Sequence, residues 1–161
     1  MTQRFAVFSL LLLVLILPMN AVRAMDPFMF DHLEIKTQDG KLYDFNIELA
    51  LTQEQHARGM MYRTYMAENA GMLFLFGDER MRSFWMKDTL IPLDIIFIRH
   101  DGEIHHIHHS AKPQDETGIT SKHPSMAVLE IKGGMADDLG IKDGDIVIHP
   151  AFKNVLSNRK D

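Results

Sequence analysis

A lysine and two aspartates near the middle of the chain are the residues best suited to chemistry. Lys87 and Asp88 are adjacent, and Asp94 follows shortly after Pro92. A buried carboxylate needs hydrogen bonds or a cationic partner. Asp94 could pair with Lys87 or Arg63, could hold a ligand, or could accept backbone N–H groups at a turn and serve the fold alone. Lys87, Asp88 and Asp94 are therefore the candidate catalytic residues of a small hydrolase or lyase.

Apolar side chains flank this group and predict a binding groove. Trp85 and Met86 directly precede Lys87, and Met60 lies earlier in the chain. A Trp side chain suits either a core wall or a ligand-stacking floor, and we expect mainly the structural role. Arg63 could recognise a carboxylate in bidentate fashion, or it could form an internal ion pair. The candidate ligand-binding residues are Arg63, Trp85, Met86, Lys87 and Asp94.

Four histidines stand close together in the second half of the chain, at His105, His106, His108 and His109. Residues of one strand face could share an ion, so His105 and His109 are the candidate ligands for Zn²⁺ or Cu²⁺. A metal site normally needs three or four converging ligands, which favours a solvated edge strand with incidental imidazoles. Thioethers of the 12 methionines could bind Cu(I), but Met more often fills gaps in a core. We therefore expect no metal or other cofactor.

The composition disfavours several classes of function. The 161 residues carry a formal net charge of −5 and include no cysteine. An acidic protein repels phosphate backbones, so nucleic acid is not an expected partner. Without cysteine there is no thiol nucleophile and no thiolate metal site. The G-x-S-x-G, H-E-x-x-H and P-loop motifs are also absent from the sequence.

Residues 1–24 have the pattern of a secretory signal peptide. Arg4 supplies a positive charge, residues 5–17 are apolar apart from Ser9, and Ala24 offers a small residue for cleavage. The apolar run is shorter than the roughly 20 residues of a spanning helix, which favours cleavage over retention as a membrane anchor. We therefore expect an exported protein, periplasmic or extracellular, with no stable membrane span after cleavage.

The segments that follow predict a hairpin and a short helix. Asp39-Gly40 is a strong turn signal between two stretches of alternating apolar and polar residues. Thr52 and Gln55 have the spacing of a helix capping box. Gly59 is well placed to end that helix, because glycine adopts a left-handed conformation at low cost.

The remaining segments predict further strands and a mainly β domain. Continuous apolar runs at 72–76 and 95–98 indicate buried strands. Ile104 and Ile107 are three residues apart, which breaks strict alternation and indicates a β-bulge or a frayed end. Short strands with glycine-rich turns are typical of a compact β-sandwich, here jelly-roll-like with one or two short helices. We divide the chain into a signal peptide at 1–24, a lead-in at 25–32, one β-rich domain at 33–150 and a C-terminal tail at 151–161.

Several segments of distinctive sequence occur in a fixed order. They are Gly59-Met60-Met61-Tyr62-Arg63, Gly71-Met72-Leu73-Phe74-Leu75-Phe76, residues 84–98 with the sequence FWMKDTLIPLDIIFI, and closing blocks at 127–130 and 139–145. Together they resemble the signature blocks of the domain of unknown function 192 family. The resemblance implies a compact jelly-roll-like β-sandwich and no particular activity. The sequence departs from the family pattern at Asp88, where Asn is usual, and at Gln114, where some members have Cys.

Three hypotheses for function remain. The favoured one is a cell-envelope binding or accessory module for an unidentified small molecule or envelope protein, with a groove lined by Trp85, Met86 and Met60 and polar groups at Lys87, Asp94 and Arg63. The alternative is the hydrolase or lyase, and the second alternative is His- and Met-based transition-metal binding. Convergence of Lys87, Asp88 and Asp94 in a cleft would favour chemistry. Burial of Asp94 against Arg63 would favour a purely structural role.

Overall fold

The computed structural model describes residues 26–154, so the predicted signal peptide and residues 155–161 of the predicted tail lie outside the described residues. No helix in this part of the chain is long and apolar enough to cross a membrane. The elements in chain order are β1 (Met29–Lys36), β2 (Leu42–Ala50), α1 (Gln53–Arg58), β3 (Ala70–Arg80), β4 (Ser83–Phe84), β5 (Leu93–Ile98), β6 (Ile104–Ala111), β7 (Ile119–Thr120), β8 (Ser125–Lys132), α2 (Met135–Leu139), β9 (Ile146–Ile148) and a 3-10 turn (Pro150–Phe152).

The main sheet is a single curled layer. Its seven strands follow the order β6-β5-β8-β3-β2-β1-β9, and β4 and β7 form a separate two-stranded ribbon. Strands β2 and β3 are parallel, and the chain crosses between them through α1. The two edges of the sheet approach each other at a bridge between Glu103 and Ile146, where Ile104 N donates to Asp145 O at 2.8 Å. The prediction of a mainly β domain with short helices is confirmed, and its architecture is a curled β-sheet.

The sheet separates two hydrophobic clusters. The inner cluster fills the curl and joins strands from both halves of the sheet, including Leu33, Ile96 and Ile104. The outer cluster covers the opposite face and includes Met72, Phe74, Leu93, Ile95 and Phe97. Strand residues alternate between the two faces. Both faces are buried, so the central strands are continuous apolar runs.

The predicted hairpin and capping box are both confirmed. Strands β1 and β2 pair antiparallel across the turn that contains Asp39 and Gly40, and Gly40 has a φ of 86°. At the start of α1, Gln55 N donates to the Thr52 hydroxyl at 3.2 Å. Thr52 N in turn donates to Gln55 Oε1 at 3.1 Å. At the other end of α1, Gly59 N donates to Gln55 O at 2.9 Å, and the helix ends at the predicted glycine.

The predicted bulge in β6 is confirmed. Ile98 is opposite Ile104, but Phe97 is opposite His106, so His105 is the extra residue. The bulge lets Ile104 and Ile107 both reach the inner cluster. It also places His106 on the face of the sheet that carries the outer cluster.

Candidate functional site

A narrow cleft opens on the outer face of the sheet. Phe74 of β3 and Glu130 of β8 form its floor, while the end of α1, the loop after it and the segment that follows β4 form its walls. The space inside is about 30 Å³, which is room for one water molecule or the end of a ligand. The lining residues are His56, Ala57, Arg58, Gly59, Met60, Met61, Phe74, Phe84, Trp85, Lys87, Thr89 and Glu130.

Glu130 is a buried acid at the floor of this cleft. It pairs across the sheet with Met72 of β3 and Ile95 of β5, both fully buried, and is itself only 4% exposed. Its Oε2 atom has no hydrogen-bond partner among residues 26–154. Burial raises the pKa of Glu130 to about 8, and the nearby Arg63 guanidinium opposes that rise. The carboxyl is therefore protonated at neutral pH and can donate a hydrogen bond.

Gly59 keeps the space in front of Glu130 open. A Cβ atom at this position would lie 3.2 Å from Phe74 Cζ and 3.9 Å from Glu130 Oε2. Gly59 also has a φ of 44°, in the left-handed region. Both the backbone conformation and the close approach favour glycine, so any larger side chain at position 59 would narrow the cleft.

Arg63 pairs with Glu48 of β2, and the predicted alternative of pairing with Asp94 is not found. The guanidinium donates to both carboxylate oxygens of Glu48, at 2.5 and 2.7 Å. Arg63 is a part-buried side chain, and its charge acts on Glu130. The Glu48–Arg63 pair is therefore a fixed charged neighbour of the cleft, with its hydrogen-bonding capacity partly used.

Trp85 and Lys87 form the outer rim of the cleft. The Trp85 side chain is 48% exposed, so the expectation that it is mainly a core residue is wrong. Lys87 Nζ lies 5.4 Å from the Trp85 ring centroid, within cation–π range. Met86, between them, is fully buried in the outer cluster. Trp85 and Met60 line the cleft, whereas Met86, also predicted to line a groove, is not among its lining residues.

Asp88 lies beside the cleft rather than in its lining. Its carboxylate accepts from the Tyr62 hydroxyl at 3.1 Å, and its carbonyl accepts from Tyr62 N at 2.8 Å. Its φ of 54° is a left-handed conformation that Asn and Asp adopt more readily than most residues. The position thus suits either residue, and here it supports the turn that carries Lys87.

Asp94 is on the opposite face of the sheet from Lys87. Its strand neighbours Leu93 and Ile95 belong to the outer cluster, and its own side chain turns to the inner side. There its oxygens accept from the backbone N–H groups of Ser110 at 2.7 Å, Gly134 at 3.0 Å and Ala136 at 2.8 Å. The structure therefore does not bring Lys87, Asp88 and Asp94 together.

His105 and His109 have separate partners. His105 Nε2 is 2.8 Å from the Ser125 hydroxyl, whereas His109 Nδ1 is 3.1 Å from the Asp137 carboxylate of α2. Within residues 26–154, no three His, Cys, Asp or Glu side chains are grouped so that they could hold a metal ion. The bulge at His105 breaks the two-residue spacing on which the shared site depended.

Sequence reasoning missed Glu130 as a site residue, although a signal for it exists. The run 127–131 is apolar except for this glutamate, and its strand is buried on both faces. A lone ionisable residue within a fully buried strand marks either a network or a site. The contacts of Gly59 and Glu48 with this region depend on the parallel pairing of β2 and β3, which the sequence pattern does not reveal.

Comparison with known proteins gives a family and a fold but no activity. The model of the DUF192 family, described as Uncharacterized ACR, matches residues 34–149. A protein from Sinorhizobium meliloti, provisionally described as a transcription regulator, has a similar structure (TM-score 0.76, 39% identity, 77% of this chain and 96% of that one). A protein of unknown function from Novosphingobium aromaticivorans is also similar (TM-score 0.74, 40% identity, 80% and 91%). No curated protein matches the chain.

Proposed function

The chain belongs to the DUF192 family, whose function is uncharacterised, and we propose that its domain is a cell-envelope binding module that holds a ligand in the cleft over Glu130. The observation that carries this proposal is the Glu130 carboxyl itself. It is buried, and its Oε2 has no partner among residues 26–154. A buried polar group without a hydrogen bond destabilises the fold by about 1–3 kcal/mol. A ligand atom at the cleft floor would supply the missing partner.

The charges around the cleft indicate the kind of group that reaches Glu130. Arg58 and Lys87 line the cleft, and the charge of Arg63 acts on Glu130. Arg63 is paired with Glu48, so Arg58 and Lys87 are the cations that mainly disfavour a ligand ammonium group at the floor. A protonated carboxyl donates to an acceptor, so the inserted end of the ligand is a neutral carbonyl or hydroxyl oxygen.

The rim suits a flat or acidic portion of the same ligand. Trp85 offers a half-exposed ring on which a planar group can stack. Lys87 lies beside that ring and can pair with a carboxylate or phosphate. The ligand that meets these requirements has a carbonyl at the inserted end and an acidic or planar group next to it. It could be a small molecule or the exposed end of an envelope protein.

The envelope location rests on residues 1–24, whose pattern predicts export. If the protein is exported, its ligand would be a molecule of the cell envelope. The hydrolase or lyase alternative has less support, because Asp94 lies on the inner face of the sheet with its oxygens held by backbone N–H groups. Metal binding likewise has no converging ligand group within residues 26–154.

Native mass spectrometry of the protein purified from its own envelope tests this function. We expect a bound mass on the wild-type protein that is absent from Glu130→Leu and Trp85→Ala. Leu90→Ala is the matched control, because Leu90 is also a partly exposed apolar side chain, at 41%, and lies outside the cleft lining. Its complex should persist, and melting temperatures verify that all variants are folded. A bare wild-type protein, or a ligand that both cleft variants retain, would overturn the proposal.

A further inference from the structure

A second pocket lies between β6 and the loop that leads to β8, and it shares no lining residue with the cleft over Glu130. Its volume is about 300 Å³, room for a small ligand rather than a single water. The polar residues that line it are His106, His108, Lys112, Asp115, Thr117, Thr120 and Lys122. Basic groups dominate this lining although the chain as a whole is acidic.

The two histidines of this pocket are fixed by the sheet. In the register of β5 and β6, His106 is opposite Phe97 and His108 is opposite Ile95. The His106 ring stacks on the Phe97 ring, with centroids 5.7 Å apart and planes 3° from parallel. Because Phe97 belongs to the outer cluster, the imidazole of His106 has a rigid support. A ligand would therefore meet a positioned ring rather than a mobile side chain.

The two lysines of the pocket have no carboxylate within ion-pair distance. No Asp or Glu oxygen of residues 26–154 lies within 4.0 Å of Lys112 or Lys122 Nζ. The Asp115 carboxylate faces the same pocket, accepts a hydrogen bond from Thr117 N at 2.9 Å and interacts electrostatically with Lys112. Two ammonium groups therefore face one carboxylate in this lining, and the excess charge of the pocket is positive.

We propose that this pocket binds a small oxyanion of the phosphate or phosphate monoester class. Two ammonium groups, two imidazoles and the Thr120 hydroxyl surround one cavity, and these are the donors that anionic oxygens accept from. Such an anion would neutralise the unpaired lysines. This inference is independent of the function proposed for the Glu130 cleft.

Protonation of the His106 imidazole should strengthen this binding. Burial is the main cause that lowers the pKa of His106, and the Lys122 charge, His105 and His108 lower it further, while Asp143 acts in the opposite direction. A bound anion opposes the repulsion from Lys122 and favours the imidazolium. Affinity should therefore increase as the pH falls through the range in which histidine titrates.

Isothermal titration calorimetry with sodium sulfate at constant ionic strength tests the proposal. Sulfate stays a dianion across the histidine range, so any pH dependence belongs to the protein. Because the pKa of His106 is lowered, we expect saturable binding that is several-fold tighter near pH 5 than near pH 7. Binding should weaken about tenfold or more in the double variant Lys112→Gln, Lys122→Gln. Lys36→Gln is the matched control, since Lys36 is an exposed lysine of β1 outside the pocket.

Two results of this titration would contradict the proposal. Absence of saturable binding, or equal loss in Lys36→Gln and the double variant, overturns the proposal. Comparison of inorganic phosphate with glycerol phosphate then distinguishes the two sources of the anion. Tighter binding of the ester identifies a phosphate monoester as the ligand class, and equal binding identifies the free ion.

Discussion

Glu130 and Asp94 are buried carboxyl groups on neighbouring strands, but they differ in how many hydrogen bonds the protein gives them. The strands are in register so that Glu130 is opposite Ile95, the residue next to Asp94. Asp94 turns to the inner face and accepts three backbone N–H groups. Glu130 turns to the outer face, where its Oε2 has no partner within residues 26–154. The first group is satisfied by folding alone, and the second is available to a ligand.

Asp145 supports the same distinction. It is fully buried, and its oxygens accept from Gln38 N at 2.9 Å and Lys142 N at 2.8 Å. Like Asp94, it connects segments that are distant in the chain. Burial alone therefore does not mark a binding site in this protein. The hydrogen bond that Glu130 lacks among the described residues, and not its burial, is what supports the proposed binding site.

Asp94→Ala should have the largest effect on stability. Three backbone N–H groups would lose their acceptor, each at a cost of about 1–3 kcal/mol, and we expect a loss of about 5 kcal/mol in the free energy of unfolding. Urea unfolding at neutral pH measures it. Asp44→Ala, an exposed residue of β2, is the control and should change stability by less than about 0.5 kcal/mol. A loss as small as the control's would contradict the structural role of Asp94.

Glu130→Gln should remove a pH dependence of stability. The pKa of Glu130 is raised from 4.5 to about 8, so the folded protein keeps a proton that the unfolded chain releases between these values. Wild-type stability therefore falls as the pH rises through that window. The variant should match the wild type near the lower value and exceed it by about 4 kcal/mol near the upper one, since each pKa unit corresponds to about 1.4 kcal/mol.

Urea unfolding across this pH range measures the effect of Glu130→Gln. Glu116→Gln is the matched control, because Glu116 is an exposed glutamate in the loop after β6. If the free energy of unfolding depends on pH in the same way for the wild type and the Glu130 variant, the pKa of Glu130 is not raised by folding. The proposed difference between Glu130 and Asp94 would then be wrong.

Lys87→Ala should have the smallest effect on stability, below about 0.5 kcal/mol. Lys87 has no carboxylate within 4.0 Å in the described part of the chain, and its contact with Trp85 is at the rim of the cleft. Urea unfolding measures this, and native mass spectrometry should show a smaller fraction of protein with bound ligand. A severe loss of stability would instead place Lys87 in an internal ion pair and remove it from the site.

Much of the fold follows from local sequence. The Asp39-Gly40 turn, the Thr52 capping box and the bulge before Ile107 are each encoded within a few residues, and all three are confirmed. These features depend on backbone conformation and side-chain periodicity, which short segments determine. The order of strands in the sheet depends on long-range pairing, which no short segment encodes.

The site was less predictable for the same reason. Asp94 is an ionisable residue in an apolar strand, as many site residues are. Its three hydrogen-bond donors are the backbone N–H groups of Ser110, Gly134 and Ala136, and no spacing in the sequence relates these residues to Asp94. Trp85 and Met86 are adjacent and both apolar, yet one is half-exposed and the other fully buried. Met86 N donates to Asp115 O at 2.8 Å, so the placement of these two neighbours involves a segment that is distant in the chain.

The bridge between Glu103 and Ile146 sets an order of events for a chain made from its N-terminus. Strand β9 pairs with β1 on one side and meets the start of β6 at this bridge on the other, so both edges of the curled sheet stay open until the last strand emerges. Open edges are templates for pairing with other chains, and late non-local contacts slow folding. A nascent chain thus depends on protection from aggregation until β9 has been synthesised.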